Sequence, residues 1–225
     1  MSLPRCLACP LTIVLASVAV APARASSPRT GHEVWLEPGP SWSVVGPFSR
    51  GRSYYSIVDE QGTPVIHARY EPPASTVILG TKLDHPAHFA HAAWRWRVLR
   101  FPVNADERVE GRSDNAASVY VTFVSTFKKH VIKYVWSTAY AAGTHWDPHD
   151  SSFLSELHIV VREGPPPTTG EWREEVVDLR ADFHRCVGGD PKDDPPPVGG
   201  VGVLSDGDGT KTPVEAEYTA FRFFD

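Results

Sequence analysis

The sequence predicts an all-β protein: an antiparallel two-sheet sandwich, jelly-roll-like, with one short helix near residues 179–187. Short runs rich in β-branched and aromatic residues recur along most of the chain, separated by Gly, Pro, Asn and Asp turn chemistry. Several alternate with period two. Val119, Val121 and Phe123 share one face of a strand, as do Leu157, Ile159 and Val161. One segment, "DLRADFHRCVGG", instead repeats Leu179, Phe183 and Val187 at helical spacing, with Asp178 placed to cap its start and Gly188 to end it. Strands this short and this numerous suit two packed sheets, with the helix plugging one end.

The elements follow in chain order. Residues 1–25 read as a signal peptide: Arg5 lies in a short n-region, an apolar run extends from Leu11 to Val20, and Ala23 and Ala25 suit cleavage. The run is short for a membrane span. Cys9 precedes it instead of ending it, which excludes a lipoprotein signal. The expected location is therefore periplasmic or secreted, with no membrane insertion after removal of the signal. Residues 26–41, rich in Pro, Gly and Ser, form a flexible lead-in, and residues 42–225 form a single domain.

Within that domain "SYYSIVDEQGTPVIHARYE" predicts a hairpin turning at residues 59–62. Strands are then expected at 75–80, at "WRWRVLRF", and over 118–124, 130–137, 156–163, 200–206 and 217–224. The Pro/Gly-rich stretches 163–170 and 188–200 are surface loops.

Composition excludes several functions. The net charge of -5 opposes nucleic-acid binding, which needs a basic face, and gives no polybasic attraction to membranes. Cys6 and Cys9 leave with the signal, so Cys186 has no disulfide partner and the domain must hold itself by its core. The mature chain lacks GxSxG, a phosphate-binding GxxxxGK[ST], HExxH and a zinc-type cysteine pair.

Candidate chemistry lies in five places. In "WRWRV", Val98 continues the side of Trp94 and Trp96, which marks that side as core. Arg95 and Arg97 then point the other way, where a carboxylate- or phosphate-bearing ligand would use them. Tyr134 and Trp136 could stack on a sugar ring if exposed. In "SDGDGTK", Asp206 and Asp208 offer oxygens to calcium or to sugar hydroxyls. Leu204 and Thr210 break the calcium-loop pattern, so a polar turn is the better reading and no cofactor is predicted. Histidines gather at His85, His88 and His91, and "GTHWDPHD" groups His145, Asp147, His149 and Asp150 around Trp146.

The ordered set "RGRSYYSIVDEQGTPVIHARY", "WRWRV", "ADER", "SVYVTF", "YVW", "DLRADFHRCVG", "VLSDGDGT" and "FRFF" resembles a bacterial exported family catalogued as domain of unknown function 3047, over roughly residues 45–225. The resemblance implies a single exported β-rich domain and no activity. It matches Trp94 to Arg97, Asp106, Glu107, Arg108, Asp114, Tyr134, Trp136, Asp206 and Asp208. It departs at Asn115, Gly209 and Ala220, where the family usually has an aromatic, an Asn and an Asp.

Three functions follow as expectations. The first is a non-catalytic domain binding a carbohydrate-like or anionic small ligand through Arg95, Arg97, Asp114, Tyr134, Trp136, Asp206 and Asp208. The second is a hydrolase or lyase on envelope polysaccharide, with acid/base groups from Asp114, His145, Asp147 and Asp206. The third is a structural or partner-binding envelope protein, whose sign would be a large exposed apolar patch.

Overall fold

A computed structural model describes residues 32–45, 53–148 and 155–225. The predicted signal peptide lies outside the described residues. Among those residues the chain forms fourteen strands and one helix. They run β1 (Glu33–Leu36), β2 (Ser43–Val45), β3 (Tyr55–Glu60), β4 (Thr63–Tyr70), β5 (Ile78–Ala87), β6 (His91–Arg100), β7 (Ala117–Val124) and β8 (Lys129–Trp136). β9 (His145–Trp146), β10 (Ser155–Glu163), β11 (Arg173–Asp178), α1 (Leu179–Val187), β12 (Val198–Leu204), β13 (Val214–Tyr218) and β14 (Phe221–Phe224) complete the order.

The strands form a jelly-roll-like sandwich of two seven-stranded sheets. The first has the order β1-β14-β6-β13-β4-β3, with β11 on the other edge of β6. The long β6 is shared on one side by two short strands: Trp96 and Val98 face Tyr218 and Ala216 of β13, while Ala92 and Ala93 face Phe223 and Arg222 of β14. The second sheet has the order β2-β5-β12-β7-β8-β10-β9. Pairing is antiparallel throughout except between β8 and β10, which run parallel. A parallel neighbour requires a crossover, and the chain between Trp136 and Ser155 supplies it.

The core lies between the sheets, and the alternation in the sequence selects the residues that fill it. Trp94, Trp96 and Val98 of β6 bury against Val119, Val121 and Phe123 of β7 and Ile132, Tyr134 and Trp136 of β8. The dry side of "WRWRV" is thus the tryptophan side, as Val98 implied. The face carrying Ile159 and Val161 points away from this core. It forms a second cluster with Val135, covered by Tyr140 and Trp146.

Turn and cap chemistry agree with the sequence. In the β3–β4 hairpin Gln61 and Gly62 both have positive φ, 54° and 86°, the signature of a primed two-residue turn. The Asp59 carboxylate accepts from the Gly62 N–H at 2.9 Å. Helix α1 begins where Asp178 accepts the Ala181 N–H at 2.8 Å and stops at Gly188, at φ 92°. Its Phe183 packs on Phe123 and meets the ring of His130 edge-on. Asp178→Ala is expected to cost about 1 kcal/mol, read as a drop in the thermal midpoint. An unchanged midpoint would show that the cap contributes nothing.

Three expectations need correction. The lead-in of residues 26–41 is not loose throughout: Glu33–Leu36 pairs with β14, and Val34 and Leu36 pack on the core. The alternation of E-V-W-L serves a sheet edge that would otherwise stand unpaired. β5 runs on through His85 and Pro86 to Ala87, past the point where β2 flanks it, so Pro86 breaks no ladder bond to β2. Finally β11, whose "REEVVD" lacks a long apolar run, is a strand because β6 offers it a full edge. Among the described residues no helix is long and apolar enough to cross a membrane.

Candidate functional site

Most residues expected to touch a ligand have structural partners instead. Tyr134 and Trp136 belong to the core: the Tyr134 hydroxyl donates to Asp182 of α1 at 2.9 Å, and Trp136 packs against Trp96 and Phe101. They share the inward face of β8 with Ile132, so stacking on a sugar is closed to them. Arg97 is neutralised on the outer face of the first sheet. It binds Glu217 at 2.5 Å and Glu60 at 2.8 Å, and its guanidinium lies 4.7 Å from the ring centre of Trp172. Arg95 is exposed beside the same ring, at 5.3 Å. Asp206, beyond the end of β12 in the second sheet, does not join them.

The aspartates do converge. Asp114, Asp206 and Asp208 each bring an oxygen within 4.8 Å of the others. Asp114, however, already accepts the N–H groups of Gly209 and Thr210, at 2.9 and 2.6 Å, and the Thr210 hydroxyl at 2.5 Å. Its carboxylate clamps the 209–210 turn, as the polar-turn reading requires. A Cβ at Gly209 would meet the carbonyl of Gly111 at 2.9 Å, so any larger residue there would press on that loop.

Beside this trio is a buried polar cluster assembled from three distant segments. Asp206 and Asn115 exchange bonds: the Asn115 N–H donates to Asp206 Oδ1 at 2.9 Å, and the Asp206 N–H donates to the Asn115 carbonyl at 3.0 Å. The Asn115 amide reaches Glu107 at 3.0 Å, and the Ser137 hydroxyl donates to the other Glu107 oxygen at 2.9 Å. Lys133 lies directly across the ladder from Tyr120, its ammonium 5.4 Å from the Tyr120 ring centre.

Burial pushes Asp206 up to about 7 against the pull of Lys133 and the Asn115 N–H, and it also raises Glu107. For Lys133 burial acts downward, but Tyr120, Asp206 and Glu107 outweigh it and hold the ammonium above its ordinary value. Both Glu107 oxygens are occupied by donors. The residue therefore fixes the loops around it more than it offers a free acid.

Glu107 also floors a cleft of about 600 Å³ lined by Arg108, Glu110, Ser113, Trp146, Asp147 and Pro148. One wall is the 105–113 loop, closed by bonds from the N–H of Asp106 to the Arg112 carbonyl and from the N–H of Val109 to the Asp106 carbonyl. The opposite wall is β9 and the residues after it. Arg108 joins the walls, its guanidinium 4.5 Å from the ring centre of Tyr140 and 4.6 Å from that of Trp146. Tyr140 donates to Asp106 at 2.7 Å, a bond that holds the Asp106 carboxyl below its usual range. Asp147 is largely exposed and accepts from His158 at 2.7 Å.

A second groove of about 550 Å³ lies over the outer face of the second sheet, floored by Gly80, Gly199, Gly200 and Gly202 and walled by Tyr120, Lys82 and Lys129. A Cβ at Gly200 would stand 2.6 Å from the Thr81 carbonyl, so the bare floor is a packing requirement.

The remaining candidates separate. His85 is on β5, His88 in the following turn and His91 on β6, where it stacks on Phe224 at 5.2 Å. His145 is exposed on β9. His149 and Asp150 lie outside the described residues. The half-buried Cys186 thiol is pushed up to about 11 by burial, which makes it a poor nucleophile. Glu107, Asn115 and Lys133 were not selected as site residues from sequence, although the family pattern contains Glu107. Lys133 shares a face of β8 with Val131 and Val135, opposite the core face of Ile132, Tyr134 and Trp136.

Fold and site together define a β-sandwich domain with an acidic, aromatic-walled cleft at one end of its second sheet. The chain belongs to the family of proteins of unknown function DUF3047, whose profile matches residues 41–222. No protein of curated function matches it. Among solved structures it is similar to the xyloglucanase domain of NopAA, a type three effector from Sinorhizobium fredii, in complex with cellobiose. That likeness has 12% identity and a TM-score of 0.41, over 88% of this chain and 97% of the other. It is also similar to a family 11 carbohydrate-binding module from Clostridium thermocellum in complex with a mixed-linked tetrasaccharide. There the identity is 6% and the TM-score 0.37, over 88% and 91% of the two chains. Both likenesses are distant, and no residue here takes a role from them.

Proposed function

We propose that this is an exported, non-catalytic domain that binds a carbohydrate-like ligand in the cleft floored by Glu107. The observation that carries the reading is the lining: a tryptophan, three carboxylates, a serine and a guanidinium around one cavity of small-ligand size. Trp146 supplies an apolar surface for a sugar ring. Glu110 and Asp147 accept from hydroxyls, and Arg108 and Ser113 donate to ring and hydroxyl oxygens.

Charge selects among ligands. Three carboxylates against one guanidinium disfavour an anion, so a neutral glycan suits the cleft better than a uronic acid. Arg97, already paired with two glutamates, adds nothing for an anion. Of the four groups expected for hydrolysis, only Asp147 lines the cleft, which favours binding over turnover. On this reading the protein works in the periplasm or outside the cell, reached through residues 1–25.

The test is a panel of neutral and acidic oligosaccharides, followed by thermal shift and tryptophan fluorescence. A neutral glycan is expected to raise the thermal midpoint without being consumed. Trp146→Ala should weaken its binding roughly tenfold, the loss of about 1.4 kcal/mol of stacking. If no glycan shifts the midpoint, or if Trp146→Ala binds as the wild type does, the assignment of the cleft is wrong.

A further inference from the structure

At the other side of Asp147, where β8 and β10 meet α1, three metal-binding side chains converge. The parallel register sets His130 of β8 opposite Glu156 of β10, and His158 follows two residues later on the same face. One donor atom from each lies within 4.8 Å of the other two. We propose that His130, Glu156 and His158 form a binding site for a divalent first-row transition metal, with Zn²⁺ the best fit.

The donor set is two imidazoles and one carboxylate, which zinc takes readily with a fourth position left for water or another ligand. His130 Nδ1 and Glu156 Oε2 stand 3.1 Å apart. Two ligands at zinc–donor lengths of about 2.0–2.1 Å in tetrahedral array sit roughly 3.3 Å from each other. The spacing therefore requires little adjustment.

His158 carries the second, independent observation. It is only 5% exposed, and its Nε2 has no hydrogen-bond partner. An unpartnered buried ring nitrogen is costly unless something binds it. Its other nitrogen is 2.7 Å from Asp147 Oδ1. An ionised carboxylate only accepts, so the proton sits on Nδ1 and the lone pair of Nε2 is free. A carboxylate behind a histidine in this way orients the ring and strengthens it as a ligand.

The neighbouring groups are compatible with a cation. The rings of His130 and His158 lie nearly parallel, 6.5 Å apart and 17° inclined. Lys128 holds the second oxygen of Glu156, leaving Oε2 directed at His130. Phe183 covers one side of the His130 ring.

The experiment uses the full chain without a histidine tag, stripped with chelator and titrated with Zn²⁺ in equilibrium dialysis. One zinc per chain, micromolar or tighter, is expected, with a raised thermal midpoint. Co²⁺ in its place should give the visible absorption of a four-coordinate nitrogen/oxygen site. His158→Gln and Glu156→Gln should each weaken zinc at least 100-fold while circular dichroism stays unchanged. Asp147→Asn is the variant least able to disturb folding, because Asp147 is mostly exposed. As a positioning change it should weaken zinc 10- to 100-fold. The site is refuted if no stoichiometric zinc binds. It is equally refuted if zinc binds but Glu156→Gln and Asp147→Asn bind it as tightly as the wild type, which would place the metal on surface histidines.

Discussion

Trp96→Ala is expected to lower the stability of the sandwich by about 3–5 kcal/mol, the cost of deleting a fully buried aromatic side chain. Trp96 has no exposed surface and occupies the centre of the aromatic core, edge-on to Trp94 at 5.6 Å and tilted against Trp136 at 5.7 Å. Its strand is also the most connected in the first sheet, with β11 on one edge and β13 and β14 on the other. A cavity there cannot collapse without moving four strands. For a domain of this size the loss corresponds to a fall in thermal midpoint on the order of 10 °C. Trp96→Phe should lose less, because part of the ring contact remains. A midpoint within a degree or two of wild type for Trp96→Ala would mean that the core does not pack as described.

The second large effect is a dependence of stability on pH that Asp206 imposes. Its folded value of about 7 lies well above the ordinary carboxyl value near 3.9 in the unfolded chain. Between those values the folded state holds a proton that the unfolded state has released. The stabilisation from this group is therefore complete below about pH 4 and is lost as pH rises to about 7, at up to about 1.4 kcal/mol per pH unit. Glu107, Glu175 and Asp182 are also raised by burial and act in the same direction.

Asp206→Asn keeps an acceptor for the Asn115 N–H but cannot ionise. Chemical denaturation at pH 5, 6, 7 and 8 should show the variant falling less steeply than wild type, with the gap in its favour widest at pH 8. Parallel pH profiles for the two proteins would show that Asp206 does not carry the charge cost assigned to it. Lys133 supports the ionised form, so Lys133→Met should steepen the wild-type profile over the same interval.

Several features were legible in the sequence because they depend on neighbours within one strand or one turn. Period two placed Val119, Val121 and Phe123 on a common face, and Val98 identified the tryptophan side of "WRWRV" as the dry one. Asp178 and Gly188 bounded α1 because cap chemistry acts over three or four residues. The hairpin at residues 61–62 was readable for the same reason. Tyr134 and Trp136 were misjudged as ligand groups because an aromatic on an alternating strand serves core or platform equally well. Only the identity of the facing sheet distinguishes the two.

The sites depend on which strands lie side by side, and that is a property of the whole chain. Glu107 with Asn115, Lys133 and Asp206 belong to three segments far apart in sequence. No periodicity links them, and only burial in one place sets their charges against each other. "ELH" on β10 is an ordinary alternating strand until the parallel register brings His130 across from Glu156. Side-chain alternation is a local consequence of backbone geometry, so it can be read along the chain. Strand order is instead settled by how all the apolar faces cover one another, a balance that leaves no mark on any single segment.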